Sequence, residues 1–135
     1  MLETLQLDGK TAIVTGAGRG LGKAMAKSLA QAGAEVVCSA RTQEQIDATV
    51  AEINTDGGSA IAIRTDVTDS SQVNALVAGS VEHYGKLDIM LANAGIGDPV
   101  GQYEFWDYPD DVFELQLAVN LKSAFYSGRA SSKHM

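Results

Sequence analysis

The chain has 135 residues, of which 45% are hydrophobic and 20% are charged, a composition typical of one soluble globular domain. Its formal net charge of −7 argues against a nucleic-acid-binding surface, which needs clustered lysine and arginine. No apolar stretch approaches the ~20 residues of a membrane span, and the acidic start lacks the pattern of a signal peptide. The single cysteine, Cys38, cannot form an internal disulfide, and we expect a reducing, cytoplasmic setting.

Short apolar runs alternate with stretches of helical periodicity from residue 11 onward. An uninterrupted apolar run is typical of a strand buried on both faces of a parallel sheet. Apolar residues that recur every three or four positions predict helices with one buried face. In chain order these elements are a strand at Thr11–Thr15, a helix with the stripe Leu21, Met25, Leu29 and Ala32 that ends at Gly33, a strand at Glu35–Ser39, a helix with Ile46, Val50 and Ile53, a turn at Asp56–Gly58, a strand at Ala60–Arg64, a helix with Val73, Leu76, Val77, Val81 and Tyr84, and a strand at Leu87–Ala92.

Two of the helix starts carry capping patterns, Thr42 with Gln45 and Asp69 with Gln72. Strands and helices therefore alternate along the chain. Short connections and right-handed crossovers then favour an α/β fold with a doubly wound parallel sheet and the strand order 3-2-1-4. We interpret residues 1–135 as a single domain of this kind.

A loop from Gly95 to Pro109 leads into a last helix, which runs from about Asp110 towards the C-terminus. This helix carries two apolar stripes, and a helix that is apolar on two faces usually buries both. We expect one face on the sheet and the other against a partner, such as a second subunit. The two stripes are Phe113, Leu117, Leu121 and Phe125, and Val112, Leu115, Val119 and Tyr126.

Residues 15 to 22 read Thr-Gly-Ala-Gly-Arg-Gly-Leu-Gly, between the first strand and the first helix. Glycines there allow a tight turn, close approach of a pyrophosphate and close helix–strand packing, and a helix N-terminus attracts phosphate. A G-x-G-x-x-G pattern fails because residue 21 is leucine, and a P-loop fails at Ala17 and Ala24. The loop therefore predicts a dinucleotide site in a Rossmann-type fold, with Thr15, Gly16, Arg19, Gly20, Leu21 and Gly22 at the cofactor.

The pattern T-G-x-x-x-G-x-G at Thr15–Gly22 resembles the short-chain dehydrogenase/reductase family. Three more family landmarks follow in order, so that the resemblance covers nearly the whole chain: Asp66 with Val67 after the third strand, Asn93, Ala94 and Gly95 at the end of the fourth, and Asn120 in the last helix. The resemblance implies that the aspartate contacts adenine and that the N-A-G motif stabilises the sheet beside the cofactor. It also implies hydride transfer between a nicotinamide dinucleotide and a small carbonyl or alcohol, with Asn120 in the catalytic set.

The end of the second strand bears on the choice of cofactor. NAD-binding units carry an acidic residue near this point, whereas an arginine accommodates the 2′-phosphate of NADP. Here Ala40 stands at that place and Arg41 follows. Arg19 and Thr42 could add a charge and a hydroxyl, so that the sequence favours NADP(H) over NAD(H). The alternative is that Arg41 is only a solvated residue at the start of a helix.

The family delivers the proton from a tyrosine in a Y-x-x-x-K motif, helped by an upstream serine. None of the four tyrosines here has lysine four residues later, because those positions hold Asp88, Asp107, Val112 and Ala130. The resemblance places the serine, tyrosine and lysine beyond residue 135, and it therefore implies that residues 1–135 are a partial, truncated domain. We therefore expect this chain by itself to be inactive, with Asn120 alone from the catalytic set or merely satisfying local backbone groups.

Three functions stay open: the cofactor-binding portion of an NADP(H)-dependent reductase or dehydrogenase, a binding module without turnover, and a remnant that associates with another subunit. An open edge at the fourth strand and the second apolar face of the last helix both predict self-association. His83 and His134 lack metal-ligand partners, and we expect Cys38 to be buried and inert. The aromatic segment Tyr103–Tyr108 is equally compatible with a pocket wall and with simple packing over the sheet edge.

Overall fold

The four predicted strands form one parallel sheet in the order β3-β2-β1-β4, which confirms the predicted topology. The computed structural model describes residues 5–97 and 102–135, and the middle of the predicted Gly95–Pro109 loop lies outside them. The elements are β1 (Thr11–Thr15), α1 (Gly20–Gln31), β2 (Glu35–Ser39), α2 (Gln43–Thr55), β3 (Ser59–Ala62), α3 (Ser70–Tyr84), β4 (Ile89–Leu91), a 3-10 turn (Phe105–Asp107), α4 (Asp110–Leu117), a π-helical turn (Ala118–Lys122) and α5 (Ser123–Ser132).

Both faces of the sheet are covered, as the apolar character of β1 predicted. Successive side chains of a strand point to opposite faces, and the core divides accordingly. Val14 packs with residues of α1 and α2 on one face, while Ile13 packs with residues of α3 and α5 on the other. All five residues of β1 are buried, so this strand is the centre of the domain.

The buried stripe of α1 differs from the predicted one. Its buried residues are Gly22, Ala26 and Ala30, whereas Leu21 is 78% exposed. Small residues on this face let α1 approach the sheet closely. The predicted stripe, Leu21, Met25, Leu29 and Ala32, instead lines a shallow apolar groove beside β4. Leu7 and Leu91 also line this groove.

The two predicted capping patterns have different outcomes. Asp69 caps α3, because its carboxylate accepts hydrogen bonds from the backbone N–H groups of Ser71 at 2.9 Å and Gln72 at 3.4 Å. The prediction for Thr42 was wrong: it precedes α2 but its side chain makes no capping hydrogen bond. The side chain of Gln45 packs against the glycine loop instead, close to Gly18.

The last helix begins at Asp110 as predicted, but a π-helical turn interrupts it. The second predicted stripe is only partly buried, since Val119 is buried and Tyr126 packs against the core whereas Leu115 is 51% exposed. The buried positions from the turn onward are Val119 and four small residues, namely Ser123, Ser127, Ala130 and Ser131. Much of the first stripe faces outward, since Phe113, Leu121 and Phe125 are 53%, 63% and 60% exposed.

Candidate functional site

A cleft of about 460 Å³ opens at the carboxyl ends of the four strands. In open parallel sheets, ligands bind at this edge, where the chain connections leave the sheet in opposite directions. Here that point lies between β1 and β4, which are neighbours in the sheet. Twelve of the sequence-predicted site residues line the cleft: Gly16, Arg19, Gly20, Leu21, Gly22, Arg41, Thr42, Asp66, Val67, Asn93, Ala94 and Gly95.

The glycine loop shows the tight turn and the close packing that were predicted for its glycines. Gly16 and Gly20 have φ values of +69° and +55°, in the left-handed region that favours glycine. Gly22 is needed for packing, because a Cβ there would stand 2.0 Å from the carbonyl oxygen of Gly16. A Cβ on Gly20 would meet nothing within 4 Å, so open space lies in front of the loop.

The N-terminus of α1 is suited to an anion. Arg19 precedes it in an extended conformation, with no side-chain cap and no acidic residue in the first turn. The first N–H groups of a helix have no partner within it, and the helix dipole places partial positive charge there. At α3, by contrast, a carboxylate occupies the corresponding position. The start of α1 therefore offers donors and positive potential to a phosphate.

Thr15 and the N-A-G segment join the ends of β1 and β4. The amide Nδ2 of Asn93 donates to the backbone carbonyl of Thr15 at 3.1 Å. The backbone N–H of Ala94 donates to the hydroxyl of Thr15 at 3.0 Å. Thr15 is itself buried and lies behind the cleft wall. These bonds hold the ends of β1 and β4 together behind the cleft, as expected for residues that stabilise the sheet.

Sequence reasoning missed the contribution of α2 to the glycine loop. The buried hydroxyl of Thr49 donates to the carbonyl oxygen of Ala17 at 3.0 Å. A Cβ on Gly18 would lie 2.8 Å from the Cβ of Gln45, so this glycine permits the close contact with α2. Thr49 lies on the same helical face as Ile46 and Ile53. A polar residue within an otherwise apolar stripe was the available signal.

One end of the cleft combines Ala40 and Arg41 after β2 with Asp66 after β3. Asp66 accepts hydrogen bonds from the hydroxyl of Thr68 at 2.7 Å and from its backbone N–H at 3.0 Å. These bonds, together with the positive charge of Arg41, lower the pKa of the Asp66 carboxyl. The carboxylate is thus held in its ionised form as a hydrogen-bond acceptor.

A third arginine supports this end of the cleft and was also missed. The Nε of Arg64 donates to the backbone carbonyl of Arg41 at 2.8 Å. This contact connects the segment after β3 to the segment after β2. Arg19 and Arg41 are exposed at the cleft, which leaves both guanidinium groups accessible to a ligand.

Asn120 lies in the π-helical turn and is occupied by backbone groups. Its Oδ1 accepts from the N–H of Ile96 at 2.9 Å, and its Nδ2 donates to the carbonyl of Ile96 at 3.1 Å. The same Nδ2 donates to Oε1 of Gln116 at 2.7 Å. Asn120 therefore anchors the segment after β4 to the last helix, at the border of the cleft rather than in its lining.

The remaining singled-out residues do not line the cleft. Burial raises the pKa of the Cys38 thiol to about 12, which fits an inert cysteine. Phe105 and Trp106 are 92% and 77% exposed and do not line the cleft.

Within residues 5–97 and 102–135, no group of three His, Cys, Asp or Glu side chains could hold a metal ion. No helix of that same part is long and apolar enough to cross a membrane.

The fold and the cleft define an open α/β domain with a glycine-rich loop at its switch point. The model of a protein family described as "short chain dehydrogenase" matches residues 10–135 of this sequence. The chain is 41% identical to versicolorin reductase stcU of Emericella nidulans over 134 residues, covering 98% of this chain and 50% of that protein. It is also 41% identical to an L-rhamnose 1-dehydrogenase (NAD(P)(+)) of Sphingomonas sp. over 130 residues, covering 96% of this chain and 50% of that protein.

Among solved structures, hydroxysteroid dehydrogenase from Escherichia coli superposes with a TM-score of 0.93 at 38% identity. That match covers 100% of this chain and 56% of that one. The chain belongs to the short-chain dehydrogenase family, whose members bind nicotinamide dinucleotides. It spans about half the length of the curated relatives it matches.

Proposed function

We propose that these 135 residues are the NADP(H)-binding portion of a short-chain dehydrogenase/reductase that interconverts a carbonyl and an alcohol by hydride transfer. The observation that carries the proposal is the glycine loop in front of an uncapped helix start, at the switch point of the sheet. The diphosphate is held by backbone N–H groups from Gly20 to Gly22, and the adenine lies by Asp66 and Val67. Asn93, Ala94 and Gly95 border the nicotinamide side.

The preference for NADP(H) is the finer part of this proposal. An acidic side chain after β2 would bond the ribose hydroxyls and repel a 2′-phosphate. The chain has Ala40 there, and the exposed guanidinium groups of Arg41 and Arg19 supply positive charge. A planar guanidinium forms paired, charge-assisted hydrogen bonds to phosphate, with the hydroxyl of Thr42 as an additional donor.

The variant Arg41→Asp tests this preference. A hydrogen bond to a charged group contributes about 1.5–3 kcal/mol, so NADPH should bind at least about tenfold more weakly while NADH binding is retained or improved. The change in nucleotide fluorescence on binding measures both affinities. Lys133→Asp, at an exposed lysine after α5, alters the net charge equally, away from the cleft, and serves as the control. An unchanged NADPH-to-NADH ratio in Arg41→Asp would remove the cofactor argument.

The chemistry proposed for the complete reaction needs more than this chain carries. When bound, NADPH supplies the hydride, and a carbonyl substrate needs a proton donor at its oxygen. The sequence has no tyrosine followed by lysine four residues later, and Asn120 is bonded to backbone groups. We therefore propose cofactor binding without turnover for the chain alone. Saturable NADPH binding with no reduction of carbonyl substrates is the expected result. Turnover by the chain alone would refute the proposal that it binds the cofactor without catalysis.

Self-association through the last helix is proposed as well. Phe113, Leu121 and Phe125 are each more than half exposed on one side of it, and exposed apolar patches commonly mark interfaces. Sedimentation at micromolar concentration should show a species larger than a monomer, which Leu121→Lys with Phe125→Lys should shift towards the monomer. A monodisperse monomer of the unaltered chain would contradict this proposal.

The single cysteine, Cys38, is the basis for also proposing a cytoplasmic location.

A further inference from the structure

Ala17 is the residue of the glycine loop that is hydrogen-bonded to the neighbouring elements β2 and α2. It lies between Gly16 and Gly18, and it is completely buried. Its backbone N–H donates to the carbonyl oxygen of Ser39 at the end of β2, at 3.0 Å. Its backbone carbonyl accepts from the hydroxyl of Thr49 at 3.0 Å. Both polar groups of this peptide unit are therefore satisfied by elements outside the loop.

Thr49 brings one of these bonds from the middle of α2. Its side chain is completely buried, among the residues that pack α2 on the sheet. The hydroxyl also lies 3.1 Å from the carbonyl oxygen of Gln45, one turn earlier in the helix. Buried hydroxyls need such partners, but a bond within the helix would have sufficed. The bond to Ala17 makes α2 a brace for the loop.

We propose that Thr49 is a positioning residue for the diphosphate of the dinucleotide. It does not line the cleft, and it acts through Ala17 on the turn that presents the N–H groups to the phosphates. Removing the hydroxyl while keeping the shape, as in Thr49→Val, leaves the carbonyl of Ala17 buried without this donor. A buried acceptor without its partner is unfavourable, so the loop relaxes away from its binding geometry. This inference rests on the proposed function and extends it to a residue outside the cleft.

The experiment compares Thr49→Val with the unaltered 135-residue chain, using two probes. NADPH contains the diphosphate, whereas adenosine 2′-monophosphate reaches only the end of the cleft near Arg41 and Asp66. Thr49→Val should weaken NADPH binding about tenfold, the effect of one lost buried hydrogen bond, and change binding of the monophosphate less than twofold. Thr49→Ser should restore NADPH affinity. Thr55→Val, at an exposed threonine of the same helix, should match the unaltered chain for both probes.

Amide hydrogen exchange without any ligand provides a second readout. Thr49→Val should accelerate exchange of residues 16–20 and leave β3 unchanged. If Thr49→Val does not fold, Thr49→Cys replaces it in the experiment, because a thiol is a weaker donor of similar size. Thr49→Cys should show a several-fold loss of NADPH affinity. Equal weakening of both probes, unchanged NADPH affinity in a folded variant, or unchanged exchange of the loop would each overturn the inference. If the unaltered chain binds no NADPH, the proposed function fails, and hydrogen exchange alone decides the role of Thr49.

Discussion

Replacing Gly22 by alanine tests the close contact between α1 and the glycine loop. Gly22 is a residue of α1, where alanine would normally be preferred by about 0.5–1 kcal/mol over glycine. In this structure the added Cβ would stand 2.0 Å from the carbonyl oxygen of Gly16 and 2.7 Å from Nδ2 of Asn93. The first contact is with backbone, which a change of side-chain rotamer cannot relieve.

The magnitude follows from the movement that the clash demands. Carbon and oxygen atoms that are not bonded approach to little less than about 3 Å, so α1 or the loop must shift by roughly 1 Å in a closely packed region. Overpacking of this kind typically costs about 1–3 kcal/mol and occasionally more, which exceeds the gain in helix propensity. We expect Gly22→Ala to lower the free energy of unfolding by about 2 kcal/mol and to abolish measurable dinucleotide binding.

Gly128→Ala is the matched control, because Gly128 is an exposed glycine of α5 with nothing within 4 Å of the added Cβ. This variant should raise the free energy of unfolding by about 0.5–1 kcal/mol. Urea unfolding followed by circular dichroism measures both variants against the unaltered chain. A Gly22→Ala variant that is as stable as Gly128→Ala, or that binds NADPH like the unaltered chain, would contradict a role of Gly22 in close packing.

Three further predictions concern side chains whose surroundings the structure defines. Asp69→Ala removes the cap of α3 and should lower the free energy of unfolding by about 1 kcal/mol, measured by urea unfolding. The pKa of Asp66 is lowered, first by its bonds to Thr68, so its contribution to stability is present above the unfolded-state pKa and lost as the pH falls through the folded-state pKa. The stability difference between the unaltered chain and Asp66→Asn should therefore be largest near pH 7 and shrink below about pH 4. Cys38, buried with a thiol pKa of about 12, should react with a disulfide reagent at pH 8 much more slowly in the folded chain than in denaturant.

Each of these predictions has a contradicting outcome. Asp56→Ala, at an exposed aspartate after α2, is the control for Asp69→Ala, and equal effects of the two would argue against capping. A stability difference for Asp66→Asn that does not change between pH 7 and pH 3 would contradict the role of its charge. Reaction of Cys38 in the folded chain at the denatured rate would show that its burial does not protect it.

Much of the architecture could be predicted from the sequence, because it depends on local patterns. The strand Thr11–Thr15 is apolar without a break, which only burial on both faces allows. The loop from Gly16 to Gly22 needs glycine for backbone conformation and close approach, and both needs are visible in residue type and order. Asp69 could be predicted as a cap because a carboxylate bonds N–H groups two and three residues away.

The errors have a common physical reason. Leu21 and its stripe look like a core face, yet α1 buries the small residues Gly22, Ala26 and Ala30 because the helix lies so close to the sheet. The last helix likewise buries serines beside Val119 and Ala130 and exposes aromatic side chains. Helical periodicity ranks faces by hydrophobicity, whereas the distance between packed elements decides which side chains fit between them.

The sequence by itself determined the alternation of strands and helices, the strand order and the glycine loop, because these follow from local periodicity, chain connectivity and the conformations open to glycine. Only the tertiary structure decided how the loop is held. Thr49 is 32 residues from Ala17 along the chain, and Asn93 is 78 residues from Thr15. Such bonds depend on the packing of α2 and on the pairing of β4 with β1, and no local pattern encodes the partner of a polar side chain across that separation.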